Sequence, residues 1–125
     1  MSHISKIELE VKDLGTLRQA CTRLGLKILE GKRTFKWYGQ EEGRCDHAIR
    51  VPEATYEIGV IKNASTFELQ CDYYDAAIGK AIGQNGGLLK KAYAVERTKT
   101  EARRKGYTVI EKQTDSGIRL HVRMN

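Results

Sequence analysis

The sequence has only three cysteines and no long apolar run, and each of these features narrows the class of protein. Its three cysteines, Cys21, Cys45 and Cys71, are an odd number without a paired spacing, so a reducing cytoplasm is predicted rather than a disulfide scaffold. No segment approaches the run of about 20 apolar residues that a membrane-spanning helix requires, and the N-terminus lacks the apolar core of a secretory leader. We therefore expect a cytoplasmic protein with no membrane partner.

Catalytic and cofactor-binding motifs are missing too. The sequence contains no GxSxG, HExxH, Walker A or GxGxxG pattern, so we predict no catalytic residues and no cofactor. Asp72 and Asp75 flank two tyrosines and could serve as an acid and a base, but Asp75 is also well placed to cap a following helix. Whether the chain is an enzyme stays open, with the balance against it.

A metal site is not predicted either. Cys45, Asp46 and His47 are adjacent, but a structural zinc site usually needs four nitrogen or sulfur ligands. The others would have to come, at no recognisable spacing, from His3, Cys71, Asp72 or His121. A polar loop entering a strand is the simpler interpretation of this segment.

Positive charge is what the sequence has in surplus. Its 125 residues include 22 Lys and Arg against 16 Asp and Glu, a net charge of +6. Such a surplus favours nucleic acid, nucleotides or acidic proteins as partners, although a solubilising surface carries similar charge. The length fits one domain, residues 1–125, with a core of its own.

Apolar periodicity predicts an α+β fold. Residues 3–11 alternate as a half-buried strand does, and Asp13 can cap a helix that ends at Gly25. Further strands are predicted at 26–29, 34–38, 56–61 and 66–74, a helix at 88–105 and a last hairpin at 107–113 and 118–124. Residues 39–46 are predicted to be a loop, 47–51 could add a short strand, and 75–87 a helical turn weakened by glycines. The order β-α-β-β-β-β-α-β-β predicts one mainly antiparallel sheet packed by two helices.

The predicted C-terminal helix carries a basic ridge. Lys90, Arg97 and Arg104 recur every seven residues with Lys91 beside them, and such a row could follow phosphates. Glu101 lies four residues after Arg97, where it can neutralise part of this charge. The opposite, apolar stripe is predicted to consist of Leu88, Ala92, Val95 and Ala102.

A second basic row lies on the last predicted strand, where Arg119, His121 and Arg123 alternate with apolar residues. If the first strand were its neighbour, Glu8 and Glu10 would pair with these arginines.

Glycines precede the C-terminal helix. Gly86 and Gly87 end the segment 83–87, and glycines there would let backbone N–H groups approach an anion at the positive end of the helix. A flexible connector is the alternative interpretation.

Several segments resemble a family known from algal plastids and cyanobacteria. They are the opening Ser-His-Ile-Ser-Lys-Ile, a first helix ending in Arg-Leu-Gly, Tyr56-Glu-Ile-Gly59, Leu88-Leu-Lys-Lys, Ala92-Tyr-Ala, Arg104-Lys-Gly-Tyr107 and Gly117-Ile-Arg-Leu120. The family is that of hypothetical chloroplast reading frame thirty-five, a domain of unknown function. The resemblance spans nearly the whole chain and implies a shared fold, but it assigns no role to any residue.

These observations favour a non-enzymatic binding or accessory protein that holds an anionic partner, either a nucleic acid or a phosphorylated small ligand. A protein-interaction subunit or homo-oligomer is the alternative, and a small enzyme is the third. The predicted anion ligands are Lys90, Lys91, Arg97, Arg104, Arg119 and Arg123, with Gly86 and Gly87.

Overall fold

A computed structural model describes residues 4–39 and 42–124. The elements are, in order, β1 (Ser5–Val11), α1 (Leu14–Arg23), β2 (Lys27–Glu30), β3 (Thr34–Lys36), β4 (Glu42–Arg44), β5 (His47–Arg50), β6 (Glu57–Asn63), β7 (Thr66–Cys71), α2 (Ala76–Ile82), a 3-10 turn (Gln84–Gly86), α3 (Gly87–Arg104), β8 (Thr108–Thr114) and β9 (Gly117–Arg123). The predicted α+β class, with a mainly antiparallel sheet and two main helices, is confirmed, as is the order of the main elements. His3, the predicted start of the first strand, and Gln40 and Glu41 of the predicted loop lie outside the described residues.

The main sheet has five antiparallel strands in the order β1-β7-β6-β5-β2. Apolar residues on one face of this sheet pack with the inward sides of α1, α2 and α3 to form the larger core. Ile58 and Val60 of the central strand β6 and Leu17 of α1 are all completely buried. Cys21 of α1 lies in the same core.

The other face of the sheet is covered in part by the β3–β4 hairpin. Phe35 of β3 is 1% exposed and lies against two glycines, Gly43 of β4 and Gly59 of β6. A Cβ atom added at Gly43 would lie 2.3 Å from the Phe35 ring, and one at Gly59 would lie 2.4 Å from it. Both positions must therefore lack a side chain for this ring to reach the sheet.

Two segments are more regular than the sequence predicts. The predicted loop 39–46 contains β4, which pairs with β3 through Thr34–Arg44 and Lys36–Glu42. Residues 76–82 form a complete helix, α2, despite Gly79, because the Asp75 side chain accepts a hydrogen bond from the Ala77 N–H and caps it. This confirms the capping role predicted for Asp75.

Two predictions of side-chain placement are wrong. Leu88 is 46% exposed, and Leu89, Tyr93 and Glu96 take buried positions on α3 beside Ala92 and Ala102, so the buried stripe differs from the predicted one. Strand β9 pairs with β8 alone among the described strands, whereas the neighbour of β1 is β7. The expected pairing of Glu8 and Glu10 with the arginines of β9 required β9 to lie beside β1, and this condition is not met, since β1 pairs with β7 and β9 with β8.

No helix in the part of the chain that the structure describes is long and apolar enough to cross a membrane.

A basic two-stranded ribbon as candidate functional site

Strands β8 and β9 form a two-stranded ribbon, joined by the two-residue turn Asp115-Ser116. Residues directly opposite each other in an antiparallel pair point to the same face. The register therefore groups three pairs on one face: Thr108 with Arg123, Ile110 with His121, and Lys112 with Arg119. We call Ile110, Lys112, Arg119, His121 and Arg123 the outer face; all five side chains are exposed.

The opposite face of the ribbon is directed toward the helices, and Glu111 anchors it. Both Glu111 carboxylate oxygens accept hydrogen bonds from the Arg23 guanidinium of α1, with Arg23 Nη1 3.0 Å from Glu111 Oε2. Lys99 Nζ of α3 lies 3.2 Å from Glu111 Oε1, and Glu96 bridges Arg23 and Lys99 at 3.1 and 3.6 Å. These contacts orient the outer face away from the helices.

The anchoring contacts change the acidity of the carboxyl group that they hold. The hydrogen bonds from Arg23, together with Lys99 and against the opposing effect of burial, lower the pKa of Glu111 to about 2. Glu111 therefore stays ionised at any physiological pH, and the ribbon stays attached to the helices by charge. The pKa of Arg23 is raised for the same reason.

In the part of the chain that the structure describes, the positive charges of the outer face have no acidic partner. Among the described residues, no carboxylate oxygen lies within 4 Å of Lys112, Arg119 or Arg123. Lys112 is directly opposite Arg119, and like charges in this position destabilise a strand pair. A bound anion between them would remove this repulsion.

The predicted ridge on α3 is in a different electrostatic situation. Arg97 Nε lies 3.2 Å from Glu101 Oε1, the pairing that the spacing predicts, and Arg104 Nη2 lies 4.0 Å from Asp13 Oδ2. Lys90 is half-buried beside a groove that Leu9 and Glu10 also line. Acidic groups thus lie close to most of this ridge.

The ridge and the ribbon lie on different sides of α3. Lys99, which contacts Glu111 of the ribbon, comes two residues after Arg97 and is therefore about 200° further around the helix. Lys91, next to the ridge, is exposed. The structure therefore places the predicted basic residues in two sets, one on the helix and one on the outer face.

Gly86 is in a conformation that a packing role explains, and Gly87 begins α3 with helical dihedral angles. Gly86 is buried at φ 74°, and a Cβ atom there would lie 2.8 Å from Ile7 Cγ2, so its glycine lets the start of α3 approach β1. Its N–H donates to the Gly83 carbonyl at 3.0 Å, and the Gly87 N–H donates to the Gln84 carbonyl. An anion at this turn would have to be held by N–H groups further along α3.

The polar cluster at Cys45–His47 is occupied by structural contacts. Cys45 Sγ lies 3.2 Å from the Lys32 carbonyl oxygen, and burial raises the pKa of its thiol. Asp46 accepts from Arg33 at 3.0 Å and from the Lys62 N–H at 2.6 Å, and His47 Nδ1 accepts from the Gly31 N–H at 3.0 Å. No three His, Cys, Asp or Glu side chains gather as metal ligands within the described ranges. His3 is outside those ranges.

The two aspartates that flank Tyr73 and Tyr74 are in unlike surroundings. Although burial opposes it, hydrogen bonds from the Ala77, Thr55 and Tyr56 N–H groups hold the pKa of Asp75 below its usual value. Asp72 is 1% exposed; its Oδ1 accepts from the Tyr74 N–H at 2.9 Å, and its Oδ2 has no partner among the described residues. Asp75 is thus committed to structure.

Fold and ribbon together define an α+β protein in which an antiparallel sheet with helices on one face carries a separate basic hairpin. Residues 20–121 match the family described as "Protein of unknown function (DUF1257)", and the chain belongs to that family. No curated protein and no solved structure matches the chain.

Sequence reasoning placed Ile110, Lys112 and Glu111 in the predicted hairpin but did not single them out as residues of the candidate site. The signal that finds the first two is the two-residue turn, because it fixes the pairing of Lys112 with Arg119 and of Ile110 with His121. No local signal finds the anchoring role of Glu111, since its main partner, Arg23, is 88 residues away in the sequence.

Proposed function

We propose that this protein binds an anionic partner, a nucleic acid or a phosphorylated small ligand, through the outer face of its β8–β9 ribbon. One observation carries the proposal: Lys112, Arg119 and Arg123 are exposed on one face without an acidic partner among the described residues. Unpaired cations in a row are what phosphate groups bind. The basic ridge of α3, chiefly Lys90 and Lys91, would add long-range attraction.

The rest of the chain is consistent with this proposal. The net charge of +6 favours encounter with anions, and the reducing cytoplasm that we propose as its location agrees with three free, buried cysteines. We further infer that the chain is related to the hypothetical chloroplast reading frame thirty-five group, a narrower assignment that rests on the segments such as Tyr56-Glu-Ile-Gly59 quoted above.

Binding to heparin and to a mixed-sequence DNA at low salt tests the proposal. The triple variant Lys112→Gln/Arg119→Gln/Arg123→Gln should lose at least about tenfold in affinity and flatten the dependence on salt by about three phosphate contacts. A matched triple, Lys90→Gln/Lys91→Gln/Arg97→Gln, removes the same charge from the helix and should lose about threefold or less.

Two results would contradict the proposal. One is absence of binding by the unaltered protein to both polyanions at low salt. The other is an equal loss in the two triples, since this would mean that net charge rather than the outer face decides binding. Circular dichroism of each variant would confirm that the fold is retained.

A second function, assembly with another protein or with a second copy, is favoured by a different observation. Ile110, Val122 and Met124 of the C-terminal segment are 48%, 44% and 73% exposed, and no further strand in the described part of the chain joins the ribbon. Light scattering across a hundredfold concentration range tests self-association; a constant monomer mass would exclude the homo-oligomer.

A further inference from the structure

We infer that the outer face of the ribbon docks into the major groove of double-stranded DNA. This inference rests on the proposed anion binding and narrows it to one class of partner and one mode of contact. It is carried by the combination, on the same face, of an exposed aliphatic side chain, Ile110, with cations that have no acidic partner among the described residues.

The dimensions of the ribbon fit such a groove. Two antiparallel strands lie about 4.8 Å apart, and the major groove of B-form DNA, about 12 Å wide, admits a two-stranded ribbon. Each strand has seven residues, which extend about 23 Å, or roughly two thirds of one turn of the duplex. Within the described part of the chain no further strand flanks the ribbon, so neither edge is blocked by the sheet.

The chemistry of the outer face fits the groove as well. Lys112 and Arg119 are side by side across the two strands, where they can donate to phosphates or to the O6 and N7 atoms of guanine. Ile110 lies directly opposite His121 and is 48% exposed, although an aliphatic side chain in a basic row gains nothing from water. In the major groove, an apolar side chain contacts the C5 methyl group of thymine.

Other anionic partners fit less well. Single strands are held by stacking on aromatic rings, and no Phe, Tyr or Trp is part of the outer face. Double-stranded RNA has a deep, narrow major groove that side chains cannot read. Small phosphorylated ligands are held in concave pockets, whereas the outer face is the surface of a two-stranded ribbon.

Fluorescence anisotropy with four labelled probes tests this inference: a 20-base-pair DNA duplex, the same duplex with uracil in place of thymine, one of its single strands, and the equivalent RNA duplex. The thymine duplex should bind about tenfold more tightly than the single strand or the RNA. Replacing thymine by uracil should weaken binding about fourfold for each methyl group that is contacted.

The variant Ile110→Ala provides the matched control, because it changes no charge. It should bind the thymine and uracil duplexes equally, and a control at another exposed apolar residue, Leu88→Ala, should keep the difference between them. Ile110 is exposed, so the substitution leaves no cavity in the core.

The outcomes separate this inference from the proposed function. If the outer-face triple abolishes binding but all four probes bind alike, the anionic partner stands and the major-groove mode is overturned. If the thymine methyl group has no effect in the unaltered protein, the contact through Ile110 is overturned. If the outer-face triple binds every probe as well as the unaltered protein, the proposed function itself fails.

Discussion

The five-stranded sheet and the β8–β9 ribbon are both antiparallel, but they are stabilised by different forces. In the sheet, Ile58, Val60 and Leu69 are completely buried under the helices. In the ribbon no residue of either strand is fully buried, and Glu111 connects it to the helices through ion pairs with Arg23 and Lys99. The sheet is stabilised by complete apolar burial, whereas the ribbon combines half-buried apolar residues with ion pairs.

This difference leaves the ribbon free to carry residues that a sheet core could not tolerate. A strand with one face in the core must place apolar residues there, whereas the outer face of the ribbon is constrained only by solubility and by what it binds. Lys112 opposite Arg119 is unfavourable for the stability of the strand pair, and the proposed anion binding would account for its presence.

The largest expected effect is on the sheet. Gly59→Ala would place a Cβ atom 2.4 Å from the Phe35 ring, and we expect it to lower the free energy of unfolding by about 2 kcal/mol through overpacking. Urea denaturation measures the change. Gly87→Ala is the control: Gly87 begins α3 with helical dihedral angles and has no atom within 4 Å of the added Cβ, so stability should be unchanged or slightly higher.

The second expected effect is a loss of stability in the ribbon that leaves the sheet unchanged. Glu111→Gln removes the charge that Arg23 and Lys99 hold, and we expect about 1 kcal/mol of local destabilisation, since Glu111 remains partly exposed. Amide hydrogen exchange should become faster in β8 and β9 while that of β6 does not change. Glu101→Gln, which breaks only the exposed pair with Arg97, should leave exchange in both regions as it was.

The pH dependence of the stability of the ribbon follows from the carboxyl group of Glu111. The pKa of Glu111 is about 2 in the folded protein and close to 4.5 when unfolded. Its contribution is therefore complete above about pH 4.5 and is lost as the pH falls toward 2. Exchange in the ribbon should accelerate over this range, and this step should be absent in Glu111→Gln. A ribbon that loosens only together with the sheet would contradict the difference between the two regions.

The smallest expected effect is a gain, not a loss, in the free energy of unfolding. Arg119→Thr removes the repulsion with Lys112 and introduces a residue suited to strands, so we expect a gain of a few tenths of a kcal/mol in stability. The same variant should bind polyanions less tightly. Thermal unfolding and anisotropy on one preparation measure both; a loss of stability would show that Arg119 has a structural role.

Features set by local periodicity were predictable from the sequence. The alternation of Arg119, His121 and Arg123 with apolar residues identified β9, and Glu101 was recognised as a partner of Arg97 because four residues separate neighbours on a helix. Asp75 was recognised as a helix cap because the group that it caps, the Ala77 N–H, is only two residues away in the sequence.

Features that depend on distant partners were not predictable. The choice of β7 rather than β9 as the neighbour of β1 is made by pairing across more than 55 residues of sequence. The burial of Leu89 instead of Leu88 depends on how α3 starts at Gly86 against Ile7, a contact with no local signal. The contact between Glu111 and Arg23 likewise joins residues that are far apart in the sequence, so no local pattern predicts it.

The two-residue turn at Asp115-Ser116 has a consequence for the sign of the charge that the ribbon displays. Along β9, residues that point outward alternate with residues that point toward the side of Arg23 and Lys99. Whether the turn has an even or an odd number of residues therefore decides which of these two sets lies on the outer face. One inserted residue would turn Ile118, Leu120 and Val122 outward and direct the arginines at the cations of α1 and α3. Turn length therefore acts as a selector of surface charge, and an insertion or deletion there would have to come in pairs to preserve it.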